Sequence, residues 1–177
     1  MNFKSISYFL GLFCFPISFL AFINILYSSY FDYFLSINTY FTALFVSITI
    51  GIGLIYLGKN SNKNINFIEQ LFLVISVYLL AAFLISIPFY LSNYQTTFLN
   101  SFFESISGLT GTGFSIFKNI KYVDPTLILW RSSSQWIGGL YFLFFLFLIF
   151  SNKKFNYKMT LLTFVREGNF SSKDNIK

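Results

Sequence analysis

The sequence predicts an all-α integral membrane protein with four transmembrane helices plus one re-entrant helix and the loop that follows it. Three observations carry this. Residues are 55% hydrophobic and only 10% charged over 177 positions, a balance that would leave a soluble domain of this size little surface to show water. No charge falls from Ser5 to Phe31, from Tyr33 to Gly58, or from Gln70 to Phe103, and uncharged apolar runs of that length are read as membrane spans. Between the third run and the last lies a shorter stretch, Phe98 to Leu109, that carries polar residues and leads into threonines and glycines.

The first run, Ile6 to Tyr27, holds 22 residues without a charge, or about 33 Å as a helix. That matches a hydrocarbon core of about 30 Å. The rival reading is a cleaved signal peptide, but such apolar regions run only about 7 to 15 residues and end at small residues; none of that kind follows here. Pro16, mid-run, predicts a bend, because neighbouring helices in a membrane can satisfy the carbonyl it frees. The second run, Phe34 to Leu57, ends in the polar, basic series Gly58-Lys59-Asn60-Ser61-Asn62-Lys63-Asn64, which reads as a short cytoplasmic loop. Residues 1–64 thus form two leading helices.

Residues 65–152 form the next unit. Asn66 caps a third helix and Glu69, three positions on, reaches back to it. Its apolar body runs from Leu71 to Leu91, with Pro88 kinking the last turn or ending it early. Phe98 to Leu109, at 12 residues, gives about 18 Å of helix, too short to cross. It continues through Gly108 into Thr110-Gly111-Thr112-Gly113, a poor helix and a good loop. A short helix followed by extended backbone has the shape of a re-entrant pore segment. The last span, Ser132 to Phe150, follows Trp130-Arg131. Arg131 snorkels or meets an acid such as Glu104 or Asp124, while Trp130 and Trp136 suit the interfacial belt. Residues 153–177 form a basic cytoplasmic tail.

Charge supplies orientation. With both termini inside, Lys4, Lys59, Lys63 and the bases from Lys153 onward, nine in all, lie in cytoplasm, against three outside, Lys118, Lys121 and Arg131. This satisfies the positive-inside rule and puts the re-entrant segment on the outer side. The net charge of +6 therefore encodes topology and tail contact with anionic lipid, not nucleic-acid binding. Enzyme and metal-centre readings find no support. There is no histidine and one cysteine, Cys14. Serines and threonines stand without a base, and the few carboxylates are not paired.

The stretch Leu99-Asn100-Ser101-Phe102-Phe103-Glu104-Ser105-Ile106-Ser107-Gly108-Leu109-Thr110-Gly111-Thr112-Gly113-Phe114-Ser115 resembles the first pore loop of the Trk/Ktr-type potassium transporter family. Trp130-Arg131-Ser132-Ser133-Ser134-Gln135-Trp136-Ile137-Gly138-Gly139-Leu140 resembles the start of that family's following helix. The resemblance extends over essentially the whole chain, because some members place two extra helices ahead of the first helix-pore-helix unit. It implies potassium transport across a bacterial cytoplasmic membrane through a pore ringed by four such units. Potassium is then the transported ligand, with no other cofactor, held by main-chain oxygens of Thr110, Gly111, Thr112 and Gly113, with Glu104 and Arg131 supporting the loop. At Gly111 the family more often has a hydroxyl-bearing residue, and its preference for potassium over sodium is associated with glycine at the position of Gly113.

Elementary physics points the same way. Successive carbonyls face a narrow axis only where the residues between them accept strained dihedrals, which favours Gly111 and Gly113. Thr110 and Thr112 are expected to point outward, held by surrounding helices. The negative end of the short helix's dipole favours a partly stripped cation. By itself a threonine-glycine run is an ordinary turn, and only its flanks point to a filter. Gly138-Gly139 allows close helix packing.

One unit of four conducts nothing. The chain is therefore expected to be a fragment, to pair with a separate chain carrying the other units, or to assemble as further copies, with membrane lipid around it. A cytosolic nucleotide-binding regulatory subunit is a further candidate partner. The rival from another class is a non-conducting membrane scaffold or truncated relic.

Overall fold

The computed structural model describes residues 2–61, 65–94, 96–117 and 123–150, with the backbone alone at 34–36 and 149–150. Lys63, Lys118, Lys121 and the tail at 153–177, all used in the charge argument, lie outside them. The regular elements among the described residues are helices: α1 (Phe3–Leu12), α2 (Cys14–Tyr30), α3 (Phe34–Gly58), α4 (Phe67–Leu91), α5 (Phe98–Leu109) and α6 (Pro125–Phe150).

The first predicted span is a rod, Phe3–Tyr30, interrupted at Phe13 between α1 and α2. The break falls in the turn before Pro16, not at it. A proline ring lacks the N–H for the carbonyl four residues back and crowds that carbonyl, here that of Leu12, so the ladder opens on its N-terminal side. The Tyr141 hydroxyl of α6 donates to the Phe13 carbonyl, and the Phe13 ring packs on Tyr141, Phe144 and Phe145. Both halves of the rod lie along α3. Gly11 and Gly51 meet at the α1–α3 crossing, where a Cβ on Gly11 would stand 2.7 Å from the Gly51 carbonyl oxygen.

At the start of α4, Glu69 Oε2 accepts from the Asn66 N–H at 2.9 Å, as the capping pattern anticipates. The same carboxylate accepts from the Asn2 N–H at 2.5 Å through Oε1, so one side chain serves the starts of two helices. Pro88 does not end α4, which runs on to Leu91. In the turn it loosens, the Ile85 carbonyl accepts from Trp130 Nε1 at 3.0 Å. That bond corrects the interfacial placement of Trp130, which is 1% exposed, whereas Trp136 is 76% exposed. An indole N–H can be buried when it finds such an acceptor.

Among the described residues, three helical stretches are long and apolar enough to cross a membrane: Phe3–Tyr30, Ile37–Gly58 and Phe67–Leu91. Helix α6 has comparable length, 26 residues, and carries Arg131, three serines and Gln135 in its first half, with the apolar run in its second. Large apolar side chains such as Phe19, Phe45, Ile52, Ile75 and Leu79 point away from the packed core. That distribution is what a lipid solvent stabilises and water does not. The fold is thus an all-α, multi-pass membrane protein in which α5 packs between α4 and α6.

Candidate functional site

Helix α5 is 12 residues long. Thr97 caps its start, its hydroxyl accepting from the Asn100 N–H at 3.3 Å. The Thr96 hydroxyl ties the approach to α4 by donating to the Phe89 carbonyl at 2.8 Å. One face of α5 is buried although polar, with Ser101, Glu104, Ser105 and Ser107 on it. The serines are satisfied locally: Ser101 donates to the Thr97 carbonyl at 3.1 Å and Ser105 to the Ser101 carbonyl at 2.8 Å.

Beyond Leu109 the chain leaves the helix. The Thr110 N–H still reaches the Ile106 carbonyl at 2.9 Å, the Gly111 N–H reaches Gly108 at 3.0 Å, and the Thr112 N–H reaches Ser107 at 3.1 Å. Gly111 (φ +68°) and Gly113 (φ +79°) both adopt the left-handed region, which costs other L-residues about 1–2 kcal/mol. A Cβ at either would meet nothing within 4 Å. Backbone conformation, not crowding within this chain, therefore favours glycine at both places.

The threonine side chains are held by α5 itself, not by surrounding helices as anticipated. The Thr110 hydroxyl donates to the Ile106 carbonyl at 2.7 Å, and the Thr112 hydroxyl lies 3.1 Å from Ser107 Oγ and 3.3 Å from the Ser107 carbonyl.

Glu104 and Arg131 meet beneath the loop. Arg131 Nε lies 2.6 Å from Glu104 Oε1, an ion pair in which Nε makes no well-directed hydrogen bond. Glu104, fully buried, also accepts from Ser115 Oγ at 3.0 Å and from the Ile116 N–H at 2.9 Å. Arg131 Nη2 donates to the carbonyls of Gly113 at 3.1 Å and Phe114 at 2.9 Å. The carboxylate thus captures a hydroxyl and an N–H of the loop, and the guanidinium two of its carbonyls. The Gly113 oxygen is engaged by Arg131, while those of Thr110, Gly111 and Thr112 take no hydrogen bond among the described residues. These four residues lie on the exposed side.

Beside the loop is a cavity of about 410 Å³, walled by Tyr78 of α4, by Leu109 to Gly111, and by Gln135, Gly138, Gly139 and Phe142 of α6. Sequence reasoning named the loop, Glu104 and Arg131. It missed the part played by Ser107 and the place of Gln135 in the cavity wall. Ser107 carried a signal, since a serine on the buried face of a helix needs a partner; the position of Gln135 depends on how α6 packs.

The family model of the TrkH cation transport proteins matches residues 36–161. Among curated proteins, an uncharacterized cation transporter of Methanocaldococcus jannaschii is 29% identical over 104 residues, which is 58% of this chain and 22% of that protein. The Trk system potassium uptake protein TrkI of Halomonas elongata is 40% identical over 55 residues, 31% of this chain and 11% of TrkI. The potassium uptake protein TrkG of Escherichia coli is 24% identical over 106 residues, 59% of this chain and 22% of TrkG. The matched region spans less than a quarter of these relatives' length. No solved structure matches. With the model match covering most of the chain, and with a half-length helix leading into a glycine loop between longer helices, the chain belongs to the TrkH family of cation transport proteins.

Proposed function

We propose that the chain is a subunit or N-terminal part of a potassium transporter, contributing one helix-pore-helix unit to a pore completed by other units. In this reading α6 is a fourth span, α5 is the pore helix, and the loop 110–113 gives backbone oxygens to the selectivity filter. The observation that carries it is the set of carbonyls at Thr110, Gly111 and Thr112 that take no hydrogen bond among the described residues, presented on an exposed face by a loop whose other side is clamped. An ordinary surface turn has no need of a buried carboxylate and a guanidinium beneath it. The C-terminal end of α5, equivalent to about half a negative charge, borders the cavity through Leu109 and Thr110, which favours a cation there. The Gly113 oxygen is shared with Arg131 in this arrangement, so its contribution to a bound ion is the weakest of the four. The remaining units come from a second chain or further copies, and membrane lipid covers the outer faces.

The test is expression in potassium-uptake-deficient cells, with and without the reading frame downstream. Rescue of growth at low potassium in at least one case is expected; no rescue in either overturns the reading. Gly113→Val separates transporter from scaffold. A filter fails with a branched residue at φ +79°, whereas a scaffold that reaches the membrane in normal amount keeps its effect.

A further inference from the structure

We propose that Ser107 is a positioning residue for the loop, acting through the two residues that flank Gly113; the proposal rests on the transport reading above. Ser107 lies on α5, is 2% exposed, and donates its hydroxyl hydrogen to the Phe114 carbonyl at 2.6 Å. Having only one hydrogen, Ser107 Oγ meets the Thr112 hydroxyl, 3.1 Å away, as acceptor. The shorter path runs from Thr112 hydroxyl to Ser107 hydroxyl to Phe114 carbonyl, with the Ser107 carbonyl, 3.3 Å from Thr112 Oγ1, the second acceptor for the same hydrogen. The Ser107 carbonyl adds a third hold, accepting from the Thr112 N–H at 3.1 Å.

The single residue between Thr112 and Phe114 is Gly113, at φ +79°, where the missing side chain leaves the backbone free to adopt other conformations. Anchoring both neighbours to one rigid helix sets where the Gly113 peptide sits. It also turns the Thr112 hydroxyl hydrogen toward α5, which leaves that oxygen's lone pairs for the exposed side. Arg131 cannot replace this hold, because it reaches the carbonyls of Gly113 and Phe114 but not Thr112. It does keep Phe114 engaged when the serine is lost, so removing one hydroxyl loosens the loop without unfolding the unit.

The experiment uses Ser107→Ala, Ser107→Thr and Thr112→Val in the full chain. Rubidium uptake is measured with and without competing sodium in the deficient cells, with the downstream frame present. Amide hydrogen exchange over 110–117 is followed in the purified protein. Ser107→Ala is expected to reach the membrane at wild-type abundance, to lose roughly five-fold in preference for rubidium over sodium, and to exchange roughly five-fold faster in the loop. Ser107→Thr, which keeps the hydroxyl, restores both. Thr112→Val reproduces the faster exchange and adds little to it in the Ser107→Ala background. An unchanged ion preference in Ser107→Ala, or uptake that falls only in step with abundance, overturns the proposal. If the wild-type chain moves no rubidium, the transport reading fails. The positioning role is then judged on exchange alone, and wild-type protection of the loop in Ser107→Ala overturns it.

Discussion

A methyl placed on Gly138 would stand 1.8 Å from the Leu109 carbonyl oxygen, whereas one on Gly139 would meet nothing within 4 Å. The two glycines are adjacent in the chain and both line the cavity, but the helical turn aims the Cβ position of one into the end of α5 and that of the other into open space. Backbone atoms cannot swing aside as a flexible side chain can, so the first position has no room to give. Gly138→Ala is expected to destabilise the protein by about 1–3 kcal/mol or more and to detach the end of α5 from α6. Gly139→Ala is expected to leave stability within about 0.5 kcal/mol of wild type. Thermal unfolding in detergent checks both; a tolerant Gly138 would mean that α6 does not approach the loop as closely as described. The Gly138-Gly139 pair was legible as a sign of close packing, but which glycine makes the approach depends on the rotation of α6 about its axis, and the pair alone does not specify that.

At the scale of elements, the Glu104–Arg131 pair joins α5, α6 and the strand of loop between them. Glu104 is fully buried and the Arg131 side chain is 17% exposed, so the acid depends on this partner more than the base does. Removing one member of a buried pair costs about 3–5 kcal/mol, because the other charge is left without compensation; partial exposure of Arg131 puts the cost of losing the acid at the lower end. Glu104→Gln and Arg131→Gln are each expected to destabilise, and the double substitution to cost less than their sum by about 1–3 kcal/mol. Chemical unfolding of the four proteins measures the coupling, and additivity would show that the two groups act separately.

The bounds of α5 were readable from the sequence, since a polar 12-residue run closed by glycines has few other solutions. The link to an acid was readable only as one of two options, since Arg131 near a span end can snorkel or meet Glu104 or Asp124; the structure pairs it with Glu104. The reach of Arg131 to the carbonyls of Gly113 and Phe114 was not readable, for it spans 18 and 17 residues of chain and follows only from the docking of α6 on α5. The break at Phe13 was misplaced by three residues for a local reason, as a proline disturbs the turn before it.

The ends of the molecule are distinguishable by what they hold together. At one end the Asn2 N–H is bound by Glu69, and a Cβ on Gly58 would stand 2.5 Å from the Lys4 carbonyl oxygen. The start of α1, the end of α3 and the start of α4 are therefore neighbours, and Lys4 and Lys59 lie with them. At the other end the Asp124 N–H reaches the Tyr94 hydroxyl at 2.6 Å, and the Tyr40 hydroxyl reaches Thr126 Oγ1 at 3.0 Å. That brings the end of α4 to the start of α6, with Asn93 beside them. Arg131 stands six residues after Pro125, about 9 Å along α6 from that end, and its charge is matched within the protein by Glu104. Lysines and arginines near span ends set orientation, so the end bearing Lys4 and Lys59 is expected to face the cytoplasm. Single cysteines at Lys59 and at Asn93, in a chain where the buried Cys14 is replaced by serine, give the check. A membrane-impermeant maleimide applied to intact cells is expected to label Asn93→Cys and to spare Lys59→Cys until the membrane is permeabilised. The opposite pattern would invert the topology and turn the loop 110–113 toward the cell interior. Outside cations would then meet the cavity between α4 and α6 before the exposed carbonyls, and a filter facing incoming potassium would no longer follow from this fold.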